Sequence, residues 1–333
     1  MRAVVFVCAT VVMCGSVRGQ TAPDYGFEWR TIGDPGNAPA MPGSQFPLLV
    51  EPVGRVDYTY RLTRTEVTNT QWLEFVDTYS RFHPQVTVIN DLAFSGPDNY
   101  RSSNDPANFG WFTLPGGENA PARFSWFYAA RFCNWLHNGK VNQAWAFESG
   151  AYTMSAYHVG PDGEWTGPLG HSPGARFWIP TVDEWTKGMY YDPNKNGLGQ
   201  PGYWKHPAKS DTPLVGGPPG TPGAQTSAGN WSAPWPGFVP VGSYPDSQSP
   251  WGLLDGSGGV MEYNESQHHL WVMHGSDTRQ STYFLDDRLD VLTGAVPWND
   301  MAGFRIASVV PSPGGVLPTL LIGWTFTSRR RHE

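Results

Sequence analysis

The chain has 333 residues, a formal net charge of −7, only 15% charged residues, 39 glycines and 31 prolines. The negative balance excludes a basic nucleic-acid-binding surface, and 16 tryptophans exclude a disordered chain, since disordered segments are poor in aromatics. What remains is a chain of turns and irregular segments packed on large rings.

Residues 1–22 read as a secretory signal, with Arg2 as the positive start, an apolar run from Ala3 to Met13, and Gly15, Ser16 and Gly19 near a cut. The run is too short to span a bilayer as a helix, and its alternative is a buried N-terminal strand. Cys8 and Cys14 lie inside it, so the exported chain keeps Cys133 alone, with no intrachain disulfide and no Cys-rich metal site. About 290 residues then remain between the two ends, within reach of one loop-rich domain.

Residues 23–60 predict Pro-rich turns and an edge strand ending in Val56-Asp-Tyr-Thr-Tyr60. Thr68 and Gln71 form a capping box, and Trp72, Phe75, Val76 and Tyr79 share one face of an amphipathic helix. Ser125 predicts the cap of a second helix, with Trp126, Ala130, Cys133 and Leu136 or His137 on one face. Cys133 there reads as an inert core thiol, because no cation sits beside it to activate it. Thr181 and Glu184 form another capping box, opening a helix to about Tyr190, so Glu184 reads as a cap before it reads as a catalyst. Long irregular segments at 84–120, 140–175 and 208–240 lie between, with neither an internal repeat nor an interdomain linker.

Asp192-Pro-Asn-Lys-Asn-Gly197 places Asp192, Asn194 and Asn196 at positions 1, 3 and 5 of an EF-hand-type calcium loop, with Gly at 6. The twelfth position is Tyr203 rather than Glu, and the alternative is an Asn/Gly-rich turn. Residues 252–265 form a glycine-rich turn flanked by Asp255 and Glu262. His268, His269 and His274 follow, but neighbours on a strand point to opposite sides, so they read as surface or core side chains before a transition-metal site. The loop rings Trp111, Trp165, Trp204 and Trp235 serve either core packing or stacking on a sugar or polymer. Residues 309–333 hold Val310-Pro-Ser-Pro-Gly314, an apolar stretch from Gly315 to Phe326 and Arg329-Arg330-Arg331.

Taken together, Glu66-Val-Thr-Asn, Ser125-Trp126 through Cys133-Asn-Trp-Leu136, Arg176 to Trp185, Gly252 to Glu265 and Gly303-Phe-Arg305 resemble, in order, the motifs of the formylglycine-generating enzyme (sulfatase-modifying factor) family over about residues 55–308. The resemblance implies an α+β fold related to C-type lectins, with little regular secondary structure and three short helices around small antiparallel sheets, in a domain at 23–308. It implies calcium held by the Asp255 side chain, the Gly258 and Val260 carbonyls and the Glu262 carboxylate. Gly259 and Met261 stand where the family has Asn and Trp. A second family calcium site does not carry over, because Asn230 has no partner Asp among residues 233–238.

Enzymes of the family bind copper through two cysteines in the strand after "G-G-S". The matching positions fall near Arg279 and Phe284, and no cysteine occurs from His274 to Arg305. Soft thiolates select Cu(I), so formylglycine generation is expected to be absent, and neither copper nor iron is expected. The iron-dependent branch of the superfamily draws its histidines from a helical bundle for which this chain has no room. Residues 309–333 resemble a PEP-CTERM sorting tail, with Ser312 in place of the usual acid and Pro318 inside the apolar stretch. That resemblance implies recognition by a C-terminal sorting protease at the membrane, with an uncleaved anchor as the alternative.

The expectation is therefore an exported, calcium-stabilised binding or surface-matrix module at the cell surface or in the extracellular matrix, with a polysaccharide or protein ligand. One alternative is a metal-dependent oxidase or oxygenase of the same superfamily. Another is a scaffold that presents a variable loop to partners.

Overall fold

Buried apolar side chains come from three helices of nine to twelve residues and, in larger number, from the strands and irregular segments packed on them. In the computed structural model the described residues are 22–40, 52–84, 94, 99–101, 110–161, 165–228, 239–265, 271–278, 288–289, 293–295 and 302–311. Residues 22–310 cluster as one compact unit. Helix α1 spans Asn69–Ser80, α2 Trp126–His137 and α3 Val182–Tyr190.

The strands are short: β1 Trp29–Ile32, β2 Tyr60–Thr63, β3 Asn99–Arg101, β4 Trp111–Thr113, β5 His158–Val159, β6 Trp165–Thr166, β7 Phe177–Trp178, β8 Tyr191–Asp192, β9 Gly202–Tyr203, β10 Glu262–Asn264, β11 Trp271–His274, β12 Thr293–Ala295 and β13 Ala307–Val309. They form a four-stranded sheet ordered β1-β2-β13-β7, a three-stranded sheet ordered β10-β11-β12, and three two-stranded ribbons. Every pairing between these strands is antiparallel. The result is a mixed fold of few helices and small antiparallel sheets.

Both predicted capping boxes are present. Thr68 accepts from the Gln71 backbone while Gln71 accepts from the Thr68 backbone, and Thr181 and Glu184 repeat the exchange. Thr68→Ala should therefore cost about 1 kcal/mol of stability, measured as a lowered denaturant midpoint with an unchanged slope. Ser125 occupies the N-cap of α2, but its side chain makes no capping hydrogen bond. The expected edge strand ending at Tyr60 is corrected too. The strand begins at Tyr60, is buried along its length, and lies inside the sheet between β1 and β13.

In the core, Trp72 of α1 stacks on Phe124 at 3.6 Å and tilts against Phe75 and Phe132. Its indole N–H donates to the Phe94 carbonyl (2.9 Å), so the ring is buried without a lost hydrogen bond. Helix α2 is buried on more than the one predicted face, including Phe127, Phe132 and Trp135. The cause is the following irregular stretch, which folds back over it: Asn134 donates to the Phe147 and Tyr152 carbonyls and accepts from the Tyr152 N–H. Cys133 lies fully inside this core, where burial drives the thiol well above its ordinary pKa. Among the described residues, no helix is long and apolar enough to cross a membrane.

Candidate functional site

The glycine loop turns through Asp255–Gly259 before entering β10 at Glu262. Asp255 adopts φ 58°, the left-handed region that side-chain-bearing residues avoid and that clusters at functional sites. Its carboxylate is anchored by the Gly242 N–H at 2.6 Å. Gly258 (φ 82°) donates its N–H to Ser276 Oγ at 2.9 Å. A β-carbon there would lie 2.4 Å from Ser227 Oγ and 2.9 Å from the Ser227 backbone nitrogen, so only glycine fits.

Gly259 exposes a residue the sequence reading passed over. A β-carbon at Gly259 would stand 2.5 Å from Glu66 Oε1, so the Glu66 carboxylate fills the space a side chain would need. Glu66 is 2% exposed; no N–H or hydroxyl donor reaches its side-chain oxygens, and its carboxyl meets that of Asp255, which a proton on Glu66 would bridge. It shares with Asp255, Ser257 and Gly259 the wall of a cavity of ≈ 10 Å³, room for one water or one ion. Burial, then the charges of Asp255 and Glu262, push Glu66 well above the carboxylate range, with Arg305 pulling the other way. Burial raises Asp255 to about 6 despite the Gly242 N–H and Arg305. A buried and a half-buried carboxyl around one small cavity are best stabilised when a proton or a cation compensates them. The signal in the sequence was an acid set between Thr65 and the buried Val67, just before a helix cap.

Glu262 does not join them. Its Oε2 accepts from Arg305 Nε at 2.7 Å and from Trp185 Nε1 at 3.0 Å, and its Oε1 accepts from Arg305 Nη2 at 2.6 Å. The other Arg305 N–H groups go to the carbonyls of Thr63, Arg64 and Leu254. The carboxylate of Glu262, expected as a calcium ligand, is here the counter-ion of a buried guanidinium. Gly258 and Val260 likewise do not line the cavity at Asp255.

The side chains of Asp192, Asn194 and Asn196, expected to hold calcium, are bonded within their own loop. Asp192 Oδ1 accepts from the Asn194 N–H, and Asp192 Oδ2 from Trp204 Nε1. Asn194 Oδ1 accepts from the Gly199 N–H, and the Asn196 amide donates to the Pro201 carbonyl. These side chains brace the β8–β9 hairpin, as Asx side chains do in turns, instead of converging on one point. Glu184 is held at its cap by the Thr181 N–H and Trp178 Nε1, with Tyr58 donating to its other oxygen.

His274 is a core residue, stacked on Trp185 at 4.4 Å and bonded through Nδ1 to Asn264 Oδ1. Burial lowers it to about 3, so it stays neutral. Of the four loop rings, Trp111 bonds Ser80 Oγ, Trp165 packs on Phe127 at 4.7 Å, and Trp204 lies under Lys195 at 4.6 Å, each half-buried. Trp235, Asn230, His268, His269, Arg279 and Phe284 fall outside the described residues. Among the described residues, no three His, Cys, Asp or Glu side chains gather into a metal-holding group. A cation between Glu66 and Asp255 would take its other ligands from carbonyls, hydroxyls or water, as hard cations do.

This geometry defines a mixed α/β domain organised around an acidic glycine loop, with β10 behind it tied by a buried Arg–Glu pair to the segment that precedes β13. Residues 50–308 match the sulfatase-modifying factor enzyme 1-like domain, and the chain belongs to that family. No curated protein matches the chain. Among solved structures it is similar to Treponema denticola variable protein 1, at 15% identity and a TM-score of 0.45, over 84% of this chain and 94% of that one.

Proposed function

We propose that this chain is an exported, calcium-stabilised binding or surface-matrix module that does not generate formylglycine. The observation that carries this reading is the absence of any cysteine from His274 to Arg305, where the family's copper thiolates belong. The remaining cysteine outside the N-terminal segment, Cys133, is sealed in the core with its thiol pushed up. Calcium is supported by the buried carboxyl of Glu66 and the half-buried carboxyl of Asp255 around a cavity of ion size. Bound there, calcium would neutralise both and tie the glycine loop to the start of α1.

Export and a surface location are supported by the apolar N-terminal run and by the proline motif, apolar stretch and arginine cluster of residues 309–333. In this reading the tail is the substrate of a membrane sorting protease. The relation to C-type lectins belongs to the same proposal, as does a polysaccharide or protein ligand recognised by the long irregular segments. The test is to incubate the purified protein with copper and a peptide bearing a sulfatase-type cysteine motif. No aldehyde is expected by mass spectrometry, whereas stoichiometric conversion to formylglycine would refute the reading.

A further inference from the structure

The irregular stretch between α2 and β7 meets the end of β10 at Glu265. That residue is 3% exposed. Its backbone N–H donates to the Pro180 carbonyl, and its own carbonyl accepts from the Val182 N–H. Its side chain is met by donors from the irregular stretch. The Tyr152 hydroxyl donates to Oε1, and His171 Nδ1 lies 2.9 Å from Oε2 and 3.2 Å from Oε1. The imidazole stacks on Trp178 of β7 at 4.5 Å and 23°. A β-carbon at Gly170 would approach Glu265 Oε2 to 3.3 Å, so glycine lets the chain pass this close. Tyr152 locks the same corner by accepting from the Ile179 N–H.

A buried carboxylate needs a counter-charge. Among the described residues, His171 is the cationic side chain within ion-pair distance of Glu265. We infer that His171 and Glu265 form a pH-sensitive latch that fastens the 140–175 stretch to the end of β10, closed while the imidazole carries its proton and loosened when it loses it.

The groups around the pair leave this role to His171. Glu265 and Glu184 are the acids that act on the imidazole. Tyr152 and Tyr157 from the same stretch, Cys133 of α2 and Tyr58 all feel the charge of Glu265, and burial drives each of these phenols and the thiol upward, away from neutrality. Glu184 is itself raised by burial. For His171, burial alone would lower the pKa. The hydrogen bond and charge of Glu265, with Glu184 behind it, outweigh that and hold it above its ordinary 6.5. The folded value lies above the unfolded one, so the latch stabilises fully below about 6.5 and its contribution fades as pH rises through the folded value.

The test is the melting temperature of the full chain from pH 6 to 9, beside His171→Gln, which keeps a hydrogen-bond donor but no charge. The wild type should lose stability with rising pH by more than the variant does, the gap closing at alkaline pH. Parallel profiles would overturn the latch. In the wild type alone, the His171 ring, assigned by NMR through its contact with Trp178, should titrate above 6.5. A midpoint below that value would overturn the latch equally, whether or not the variant folds.

Discussion

Arg305→Met should destabilise the protein by about 3–5 kcal/mol, because it strips the counter-charge from a carboxylate that cannot reach water. Arg305 is fully buried and Glu262 is 1% exposed. The guanidinium also donates to three carbonyls, at Thr63, Arg64 and Leu254; its loss removes those bonds, though the Arg64 carbonyl keeps the Leu254 N–H. Glu262 would keep one donor, Trp185 Nε1. Chemical denaturation of wild type and variant at pH 7 measures the loss. Pairing Arg305→Met with Glu262→Leu removes both charges and should recover part of it, since replacing a whole buried pair costs far less than breaking one. A loss near 1 kcal/mol for the single variant would mean that Glu262 is not held as described.

The second large effect is calcium itself. Asp255 is raised from 3.8 to about 6, and burial drives Glu66 well above the carboxylate range. For such groups the folded state prefers the protonated form. Metal-free protein therefore loses stability as pH climbs from about 4 through about 6, and further as Glu66 ionises. Calcium competes with those protons, so its stabilising increment should grow over the same window and be largest above it. At a free concentration 100 times its Kd the increment would be about 2.7 kcal/mol. Glu66→Gln should abolish it, and should make the metal-free protein at neutral pH more stable than metal-free wild type, because the repulsion is gone. Melting curves in calcium and in EDTA at pH 4.5, 6 and 7.5 decide this. An increment that survives in Glu66→Gln would place the ion elsewhere.

What the sequence made legible follows the reach of each interaction. Thr68 with Gln71 and Thr181 with Glu184 were readable because capping is settled within one helical turn. The apolar spacing of Trp72, Phe75, Val76 and Tyr79 was readable for the same reason, and each of these is buried. The pairing of Glu262 with Arg305 was not legible because its partner lies 43 residues away in the chain, and nothing local distinguishes a ligand carboxylate from one side of an ion pair. Glu66 was missed because its burial depends on the absent side chain of Gly259, a packing fact no periodicity carries. The edge strand expected to end at Tyr60 instead begins there and lies inside the sheet, because β13, which covers its other side, comes from the far end of the domain. Asp192, Asn194 and Asn196 show the converse: spacing that suits calcium also suits a hairpin that bonds to itself.

The most direct test is metal content by mass spectrometry on wild type and Asp255→Asn, both purified without chelator. One equivalent of calcium in the wild type, little in the variant, and neither copper nor iron in either is the predicted result. Stoichiometric copper or iron, or a wild type that holds no calcium in millimolar calcium buffer, would contradict a calcium-stabilised, non-catalytic module.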